Sequence, residues 1–217
     1  MIRKPGDLPG YRHVKPVFAG GPGGSSLHQS HLILGGARSG KSRYAVALGR
    51  SASARTGFVA TAPTSDGDMR DRIARHRAER PPGWLTVEEP LDLARTCRRL
   101  VPQLDVIVVD CLTVWVANLL DRGRDDAAVL SDTDELAAVL GERGVSLIVV
   151  SNEVGEGVHP PTEIGLRFRD LLGAVNQRIA AAADLVTLMV AGIPVPIKRA
   201  AAGPPRGERG DRSHEGP

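Results

Sequence analysis

The sequence has few aromatic residues, few cysteines and no long apolar run. Aromatic side chains make up 3% of the 217 residues, too few for the stacking platforms that bind single-stranded nucleic acids. Two cysteines, Cys97 and Cys111, cannot build a disulfide framework or a metal cluster, and their apolar neighbours predict buried thiols. No stretch of 18 apolar residues occurs, so no transmembrane segment is predicted. The N-terminus also lacks the apolar stretch of a signal peptide, and we expect a cytoplasmic protein.

The net charge of +3 arises entirely near the two ends of the chain. Residues 31–199 contain 21 basic and 21 acidic side chains, whereas residues 1–30 and 200–217 contain seven basic and four acidic ones. A neutral central segment makes nucleic-acid binding a minor hypothesis. The terminal segments are rich in small and polar residues, so we expect a disordered extension over 1–30, one domain over 31–199 and a disordered tail over 200–217.

Short apolar runs alternate with helical patterns between the two terminal segments. Strands are predicted at 31–34, 57–61, 105–109, 145–151 and 184–190, and helices at 39–54, 66–80, 91–100, 113–121, 132–143 and 162–183. Near-continuous apolar strands are typical of a parallel sheet that is covered on both faces. The alternation therefore predicts an α/β doubly wound fold, with a short edge hairpin strand at 195–198 beside two prolines.

A glycine-rich motif lies where the first predicted strand meets the first predicted helix. It reads Gly35, Gly36, Ala37, Arg38, Ser39, Gly40, Lys41, Ser42 and matches G-x-x-x-x-G-K-[ST]. Backbone amides of such a loop and the positive end of the helix dipole bind phosphate groups. We expect Lys41 to reach the β- and γ-phosphates of a nucleotide and the Ser42 hydroxyl to bind Mg²⁺. The alternative is an ordinary glycine-rich turn.

Asp110 ends the apolar run of the third predicted strand. A carboxylate at the carboxyl end of a buried parallel strand lies at the edge where ligands bind. The position suits a second group that organises Mg²⁺ together with Ser42. The alternative is that Asp110 caps the helix that follows it.

His76 lies within the predicted helix at 66–80. At a spacing of four residues, Asp68, Arg72, His76 and Arg80 share one face of that helix. Neighbouring arginines lower the pKa of an imidazole, and the neutral imidazole is the nucleophilic form. The spacing alone favours a solvated surface histidine over a residue that attacks phosphorus.

Several further segments carry a resemblance to one family. They comprise Ala60-Thr61-Ala62, Arg72-Ile73-x-x-His76-Arg77, Arg80-Pro81-x-x-Trp84, Glu88, Asp110-Cys111-Leu112-Thr113, Asn118-Leu119-Leu120, Ser151-Asn152-Glu153-Val154-Gly155, Phe168-Arg169-Asp170, Val175-Asn176-Gln177, Gly192-Ile193-Pro194 and Lys198. With the glycine-rich motif, these segments resemble the bifunctional adenosylcobinamide kinase/adenosylcobinamide-phosphate guanylyltransferase family. The resemblance covers residues 31–199.

The resemblance implies a P-loop nucleoside triphosphatase-like fold and two activities in cobalamin biosynthesis. The enzyme would phosphorylate adenosylcobinamide with ATP or GTP, and then transfer GMP from GTP to adenosylcobinamide phosphate. The guanylylated residue of the family corresponds to His76. The family's nucleotide contacts correspond to the glycine-rich motif, to Ala60, Thr61 and Ala62, to Arg77, Ala78, Glu79 and Arg80, and to Glu88 and Asp110. The resemblance also implies a homotrimer.

Glu88 has a physical rationale of its own. A carboxylate accepts hydrogen bonds, and guanine offers donors at N1 and N2 that adenine lacks at these positions. Without the resemblance, the sequence favours a solvated surface charge at this position.

Two other function classes stay open on the residues alone. One is a small-molecule kinase that uses only the γ-phosphate, and the other is a GTP-dependent regulatory module without a covalent step. A nucleic-acid-binding ATPase is a more distant alternative, because the central segment is neutral.

Overall fold

A seven-stranded sheet forms the centre of the computed structural model, which describes residues 28–53, 55–62, 81–142, 144–157 and 159–199. The strands are β1 (Ser30–Gly35), β2 (Thr56–Ala60), β3 (Leu85–Glu88), β4 (Val106–Asp110), β5 (Ser146–Val150), β6 (Leu185–Val190) and β7 (Ile193–Lys198). Their order across the sheet is β3-β2-β4-β5-β1-β6-β7. The first six strands pair in parallel, and β7 pairs antiparallel with β6. The predicted doubly wound, mostly parallel α/β fold is confirmed.

Five α-helices among the described residues flank the sheet. They are α1 (Lys41–Ala52), α2 (Leu93–Leu100), α3 (Leu112–Asp121), α4 (Asp126–Gly141) and α5 (Glu163–Ala182). Helix α4 begins at Asp126, earlier than the predicted residue 132, because the Asp125 side chain caps it by accepting a hydrogen bond from the Ala128 amide at 2.8 Å. The predicted helix at 66–80 lies outside the described residues. None of the helices in the described ranges has the length and hydropathy needed to cross a bilayer.

The two faces of the sheet carry separate apolar clusters, as expected when successive side chains point to opposite faces. On one face, Ile33, Phe58 and Ile148 pack with Ala45 and Leu48 of α1. The opposite face packs against the other four helices through a larger cluster, whose members include Leu32, Val59, Ile107, Leu147, Trp115, Leu136 and Leu172. Burial on both faces explains why the central strands read as continuous apolar runs.

Strand β3 is absent from the sequence-based prediction. It has only four residues, and three of their side chains are exposed, so it shows neither a long apolar run nor a buried pattern. It nevertheless pairs in parallel with β2, with Glu88 opposite Ala60. The pairing places Glu88 at the carboxyl edge of the sheet.

The edge hairpin predicted around β7 is confirmed. Pro194 lies opposite Met189 and Pro196 opposite Thr187 on β6, and β7 is the last strand of the sheet. Proline has no amide hydrogen to donate, and an edge strand tolerates this loss. The strand begins at Ile193, slightly before the predicted start at residue 195.

His31 is a buried polar residue in the strand that leads to the glycine-rich motif. Its side chain is 3% exposed, its Nε2 atom lies 2.8 Å from Thr187 Oγ1, and its ring meets the Tyr44 ring edge to face. Burial disfavours the charged imidazolium and lowers the pKa of His31 to about 4. The residue therefore folds in its neutral form.

The stability of the protein is expected to fall in mild acid because of His31. In the unfolded chain this imidazole takes up a proton near pH 6.5, whereas in the folded protein it does so near pH 4. The contribution of neutral His31 to the free energy of unfolding is therefore fully present above pH 6.5. It is lost as the pH falls towards 4, and the loss is up to roughly 3 kcal/mol. Urea unfolding between pH 7.5 and 4 measures this loss. His31→Asn should flatten the pH dependence, and the same change at the exposed His159 should not.

Candidate nucleotide-binding site

The carboxyl ends of five parallel strands meet at one edge of the sheet. They end at Gly35, Val150, Asp110, Ala60 and Glu88, in the spatial order β1, β5, β4, β2, β3. Register places Asp110 opposite both Val150 and Ala60, and Ala60 opposite Glu88. The structure thus brings four of the sequence-predicted segments to one edge: the glycine-rich motif, residues 60–62, Glu88 and Asp110.

The glycine-rich motif folds as a tight loop between β1 and α1. Gly35 has φ +146°, and a Cβ there would lie 2.5 Å from the Met189 carbonyl oxygen and 2.7 Å from Ser39 Oγ. Gly40, with φ +98°, is the N-cap of α1. Both positions therefore require glycine, Gly35 because of close approach and Gly40 because of its left-handed conformation.

Lys41 and Ser39 supply polar groups inside this loop. The Lys41 side chain is only 7% exposed, and its ammonium donates a hydrogen bond to the Gly36 carbonyl at 2.6 Å. Ser39 Oγ is buried and has no hydrogen-bond partner among the described atoms. At Gly36 an added Cβ would meet nothing within 4 Å. A buried ammonium, an unsatisfied hydroxyl and open space beside the backbone fit the binding of phosphate oxygens.

Two neighbouring segments hold the loop in place. The Glu153 amide, just after β5, donates to the Gly35 carbonyl at 3.1 Å. The Gly192 amide, in the turn between β6 and β7, donates to the Ser39 carbonyl at 2.9 Å. The loop is therefore held on both sides by backbone hydrogen bonds.

Asp110 is the last residue of β4, and the next residue, Cys111, forms two hydrogen bonds with Thr61. The Asp110 carbonyl accepts from the Thr61 amide at 3.1 Å. Thr61 Oγ1 donates to the Cys111 carbonyl and accepts from the Cys111 amide, both at 2.8 Å. The N-cap of α3 is Cys111, with no side-chain capping bond, so the structure does not give Asp110 the alternative role of a helix cap. The Asp110 carboxylate and the Ser42 hydroxyl are hard oxygen ligands, which fit Mg²⁺.

The two cysteines are not candidates for nucleophilic catalysis. Burial raises the pKa of Cys97 to about 12 and that of Cys111 to about 11. Both thiols are therefore protonated at neutral pH, and a protonated thiol is a poor nucleophile.

The loops that follow β2 and β3 are tied together by helix α3. Asn118 Nδ2 donates to the Thr61 carbonyl at 2.9 Å and to the Pro90 carbonyl at 3.2 Å. Trp115 Nε1 donates to the Leu91 carbonyl at 2.7 Å. Neither contact could be predicted from the sequence, because the partners are 57 and 28 residues from Asn118 and 24 residues from Trp115 along the chain and leave no local signal.

The remaining sequence-predicted residues lie outside the described part of the chain. These are His76, Arg77, Ala78, Glu79 and Arg80. Their roles stay predictions.

A doubly wound sheet with a glycine-rich loop, a buried lysine and an aspartate at the same edge defines an α/β nucleotide-binding protein of the P-loop class. Comparison with protein families is more specific. The model described as "Cobinamide kinase / cobinamide phosphate guanyltransferase" matches residues 31–197. The chain belongs to this family, and it is an enzyme with kinase and guanylyltransferase activities in cobalamin biosynthesis. The resemblance seen in the sequence is confirmed.

Individual relatives agree with the family assignment. The chain is 46% identical over 167 residues to the bifunctional adenosylcobalamin biosynthesis protein CobP of Pseudomonas aeruginosa, covering 77% of this chain and 96% of the relative. It is 38% identical over 179 residues to the bifunctional adenosylcobalamin biosynthesis protein CobU of Escherichia coli, covering 77% and 98%. It is 39% identical over 181 residues to the corresponding CobU protein of Salmonella typhimurium, again covering 77% and 98%.

Solved structures show more remote similarity. A KaiC-like protein from Pyrococcus horikoshii is 18% identical, with a TM-score of 0.45, and the match covers 74% of this chain and 70% of that one. An ATPase from the type III secretion system of pathogenic bacteria is 14% identical, with a TM-score of 0.48, and the match covers 74% and 50%.

Alanine substitutions at Gly35 and Gly36 test whether close contacts make glycine necessary at only one of these two positions. Gly35→Ala places a methyl group against the Met189 backbone in an unfavourable conformation, and we expect a loss of about 2 kcal/mol or more. Thermal unfolding should show a fall of several degrees. Gly36→Ala meets no atom within 4 Å and should unfold within about a degree of the parent protein. Equal melting temperatures for the two variants would contradict this account of the loop.

Proposed function

We propose that the enzyme phosphorylates adenosylcobinamide with ATP or GTP, and then transfers GMP from GTP to the resulting adenosylcobinamide phosphate through His76. The observation that carries the proposal is the buried Lys41 in its glycine-rich loop, at the same sheet edge as Asp110, residues 60–62 and Glu88, in a chain of this family. The product is adenosylcobinamide-GDP, and the by-product of the second step is pyrophosphate.

In the kinase step, the hydroxyl of the cobinamide side chain attacks the γ-phosphorus of the nucleotide and loses its proton to water. The bond from that phosphorus to the bridging oxygen breaks, and the nucleoside diphosphate leaves. Lys41 neutralises charge on the β- and γ-phosphates, and the loop amides hold the phosphates in line. Ser42 and Asp110 would hold Mg²⁺, which when bound supplies further charge neutralisation on the phosphates.

In the guanylyltransferase step, a neutral imidazole nitrogen of His76 attacks the α-phosphorus of GTP. A phosphorus–nitrogen bond forms, and the bond to the pyrophosphate oxygen breaks. A phosphate oxygen of adenosylcobinamide phosphate then attacks the same phosphorus and releases the imidazole. The covalent intermediate divides one difficult transfer into two easier ones. Lys41 would stabilise the departing pyrophosphate as it stabilises the phosphates in the kinase step.

Guanine selection would depend on Glu88. Its carboxylate accepts from guanine N1–H and N2–H, whereas adenine presents no such pair of donors. Strand β3 lies four strand positions from β1, roughly 19 Å at the usual interstrand spacing. Base recognition and phosphate binding would therefore occupy opposite ends of one edge, and an extended nucleotide would lie along it.

A covalent intermediate can be trapped with GTP labelled at the α-phosphate. With Mg²⁺ present, label should remain on the denatured protein, resist alkali and be released by acid, as expected for a phosphoramidate. His76→Ala should abolish labelling while GTP binding persists. The matched control is His159→Ala, an exposed histidine beyond the carboxyl end of β5, which should label normally.

Absence of label would contradict the covalent mechanism. If folded protein binds GTP and transfers GMP to adenosylcobinamide phosphate without labelling, the transfer is direct and His76 is not guanylylated.

We further propose that the protein is a cytoplasmic homotrimer. The family resemblance supports the trimer, and so does an apolar surface on β7. Ile193, Val195 and Ile197 alternate along the strand on one side of it and are 65%, 44% and 59% exposed. Surface of this kind commonly marks an interface between protein chains.

A charge placed on this surface should disrupt the trimer. Ile193→Lys would bury an ammonium in the interface, and sedimentation velocity should then show monomers. Ile164 on α5 is also 65% exposed and is the matched control, so Ile164→Lys should sediment like the parent protein. A monomeric parent protein, or trimers of Ile193→Lys, would contradict the proposal.

A further inference from the structure

The Asn118 side chain connects two loops that carry proposed nucleotide contacts. Its single amide nitrogen uses both hydrogens, one toward the Thr61 carbonyl at 2.9 Å and one toward the Pro90 carbonyl at 3.2 Å. Thr61 follows β2, and Pro90 lies two residues after Glu88. One side chain therefore forms hydrogen bonds with both loops.

The loop after β3 is also held by other hydrogen bonds, among them the bond from Trp115 Nε1 of α3 to the Leu91 carbonyl. Glu89 Oε1 accepts from the amides of Leu91 and Asp92, and Glu89 Oε2 accepts from Thr96 Oγ1. These bonds join the loop to the start of helix α2. The Glu89 amide donates to the Ala60 carbonyl at 2.9 Å and prolongs the ladder between β2 and β3 by one bond. Beyond that bond, Asn118 is the side chain that joins the two loops within the described residues.

We propose that Asn118 is a positioning residue for guanine specificity. By holding the Thr61 and Pro90 carbonyls, it fixes the carboxylate of Glu88 relative to residues 60–62, and so fixes where the two base-recognising oxygens lie. The inference rests on the proposed role of Glu88. Helix α3 carries Asn118 and begins at Leu112, two residues after β4 ends at Asp110.

The substitution Asn118→Asp tests the inference at nearly constant shape. Aspartate has no hydrogen to donate, and its charge would face two carbonyl oxygens, so the loops should move apart. The readout is the ratio of kcat/KM for GTP to that for inosine triphosphate in the guanylyltransferase reaction, because inosine lacks the N2 donor. We expect the ratio to fall about fivefold or more, mainly through a higher KM for GTP.

The kinase reaction with ATP controls for folding. The proposed γ-phosphate contacts lie in the loop after β1, four strand positions from β3, so this activity should change less than about twofold. Asn118→Ala, which removes both donors without adding charge, is measured in parallel, and its ratio should also fall. If the Asn118→Asp variant does not fold, the ratio measured for Asn118→Ala tests the proposed role of Asn118.

The matched control variant is Asn176→Asp. Asn176 on α5 is 5% exposed and donates to the Asn152 carbonyl at 3.0 Å, in the loop after β5 rather than those after β2 and β3. Asn176→Asp should leave the GTP to inosine triphosphate ratio unchanged. An equal fall in this control would overturn the inference, because the effect would then not be specific to Asn118.

The substitution Glu88→Gln distinguishes a failure of the proposed role of Asn118 from a failure of the proposed role of Glu88. If Glu88→Gln lowers the ratio and folded Asn118 variants do not, the role of Asn118 is wrong and that of Glu88 stands. If neither lowers the ratio, Glu88 does not read guanine, and both proposals fail. A fall in both, with Asn176→Asp unchanged, supports the assignment of Asn118.

Discussion

The parallel hydrogen-bond ladder from β1 to β3 is the constraint on which the rest of the structure depends. Parallel pairing forces the carboxyl ends of β1, β5, β4, β2 and β3 onto one edge, and burial of both faces fixes the register, because a shift of one residue would exchange the two apolar clusters. The glycine-rich loop, Asp110, residues 60–62 and Glu88 are far apart in sequence, and they share an edge for this reason alone.

Sequence patterns predicted the strands whose stability comes from burial. The runs that became β1, β2, β4, β5 and β6 are apolar on both faces, and the structure confirms them with shifts of about one residue. Strand β3 was not predicted because Leu85 and Thr86 are exposed and the strand shows no continuous apolar run. It forms by pairing with β2. Glu88 therefore read as a surface charge from its local sequence, whereas its position at the edge is a consequence of tertiary structure.

The same distinction applies within the site. The glycine-rich loop could be predicted because its glycines, lysine and serine lie within eight residues, and in the structure Gly40 is the N-cap of α1 and Lys41 donates to the Gly36 carbonyl. The reciprocal bonds between Thr61 and Cys111 and the double donation by Asn118 join segments that only the fold brings together. Asparagine and threonine are common in loops and helices for many reasons, so no local pattern predicts these hydrogen bonds.

One rigid edge also explains how a single site could serve two reactions at different phosphorus atoms. In the proposed mechanism the kinase step breaks a bond at the γ-phosphorus, and the guanylyltransferase step breaks one at the α-phosphorus. Charge accumulates on the β-phosphate oxygens in both, so one loop with Lys41 can stabilise both leaving groups. The loop alone therefore cannot decide which phosphorus reacts. That choice must come from groups farther along the edge, where the loops held by α3 would fix the base and hence the position of the α-phosphate relative to its nucleophile.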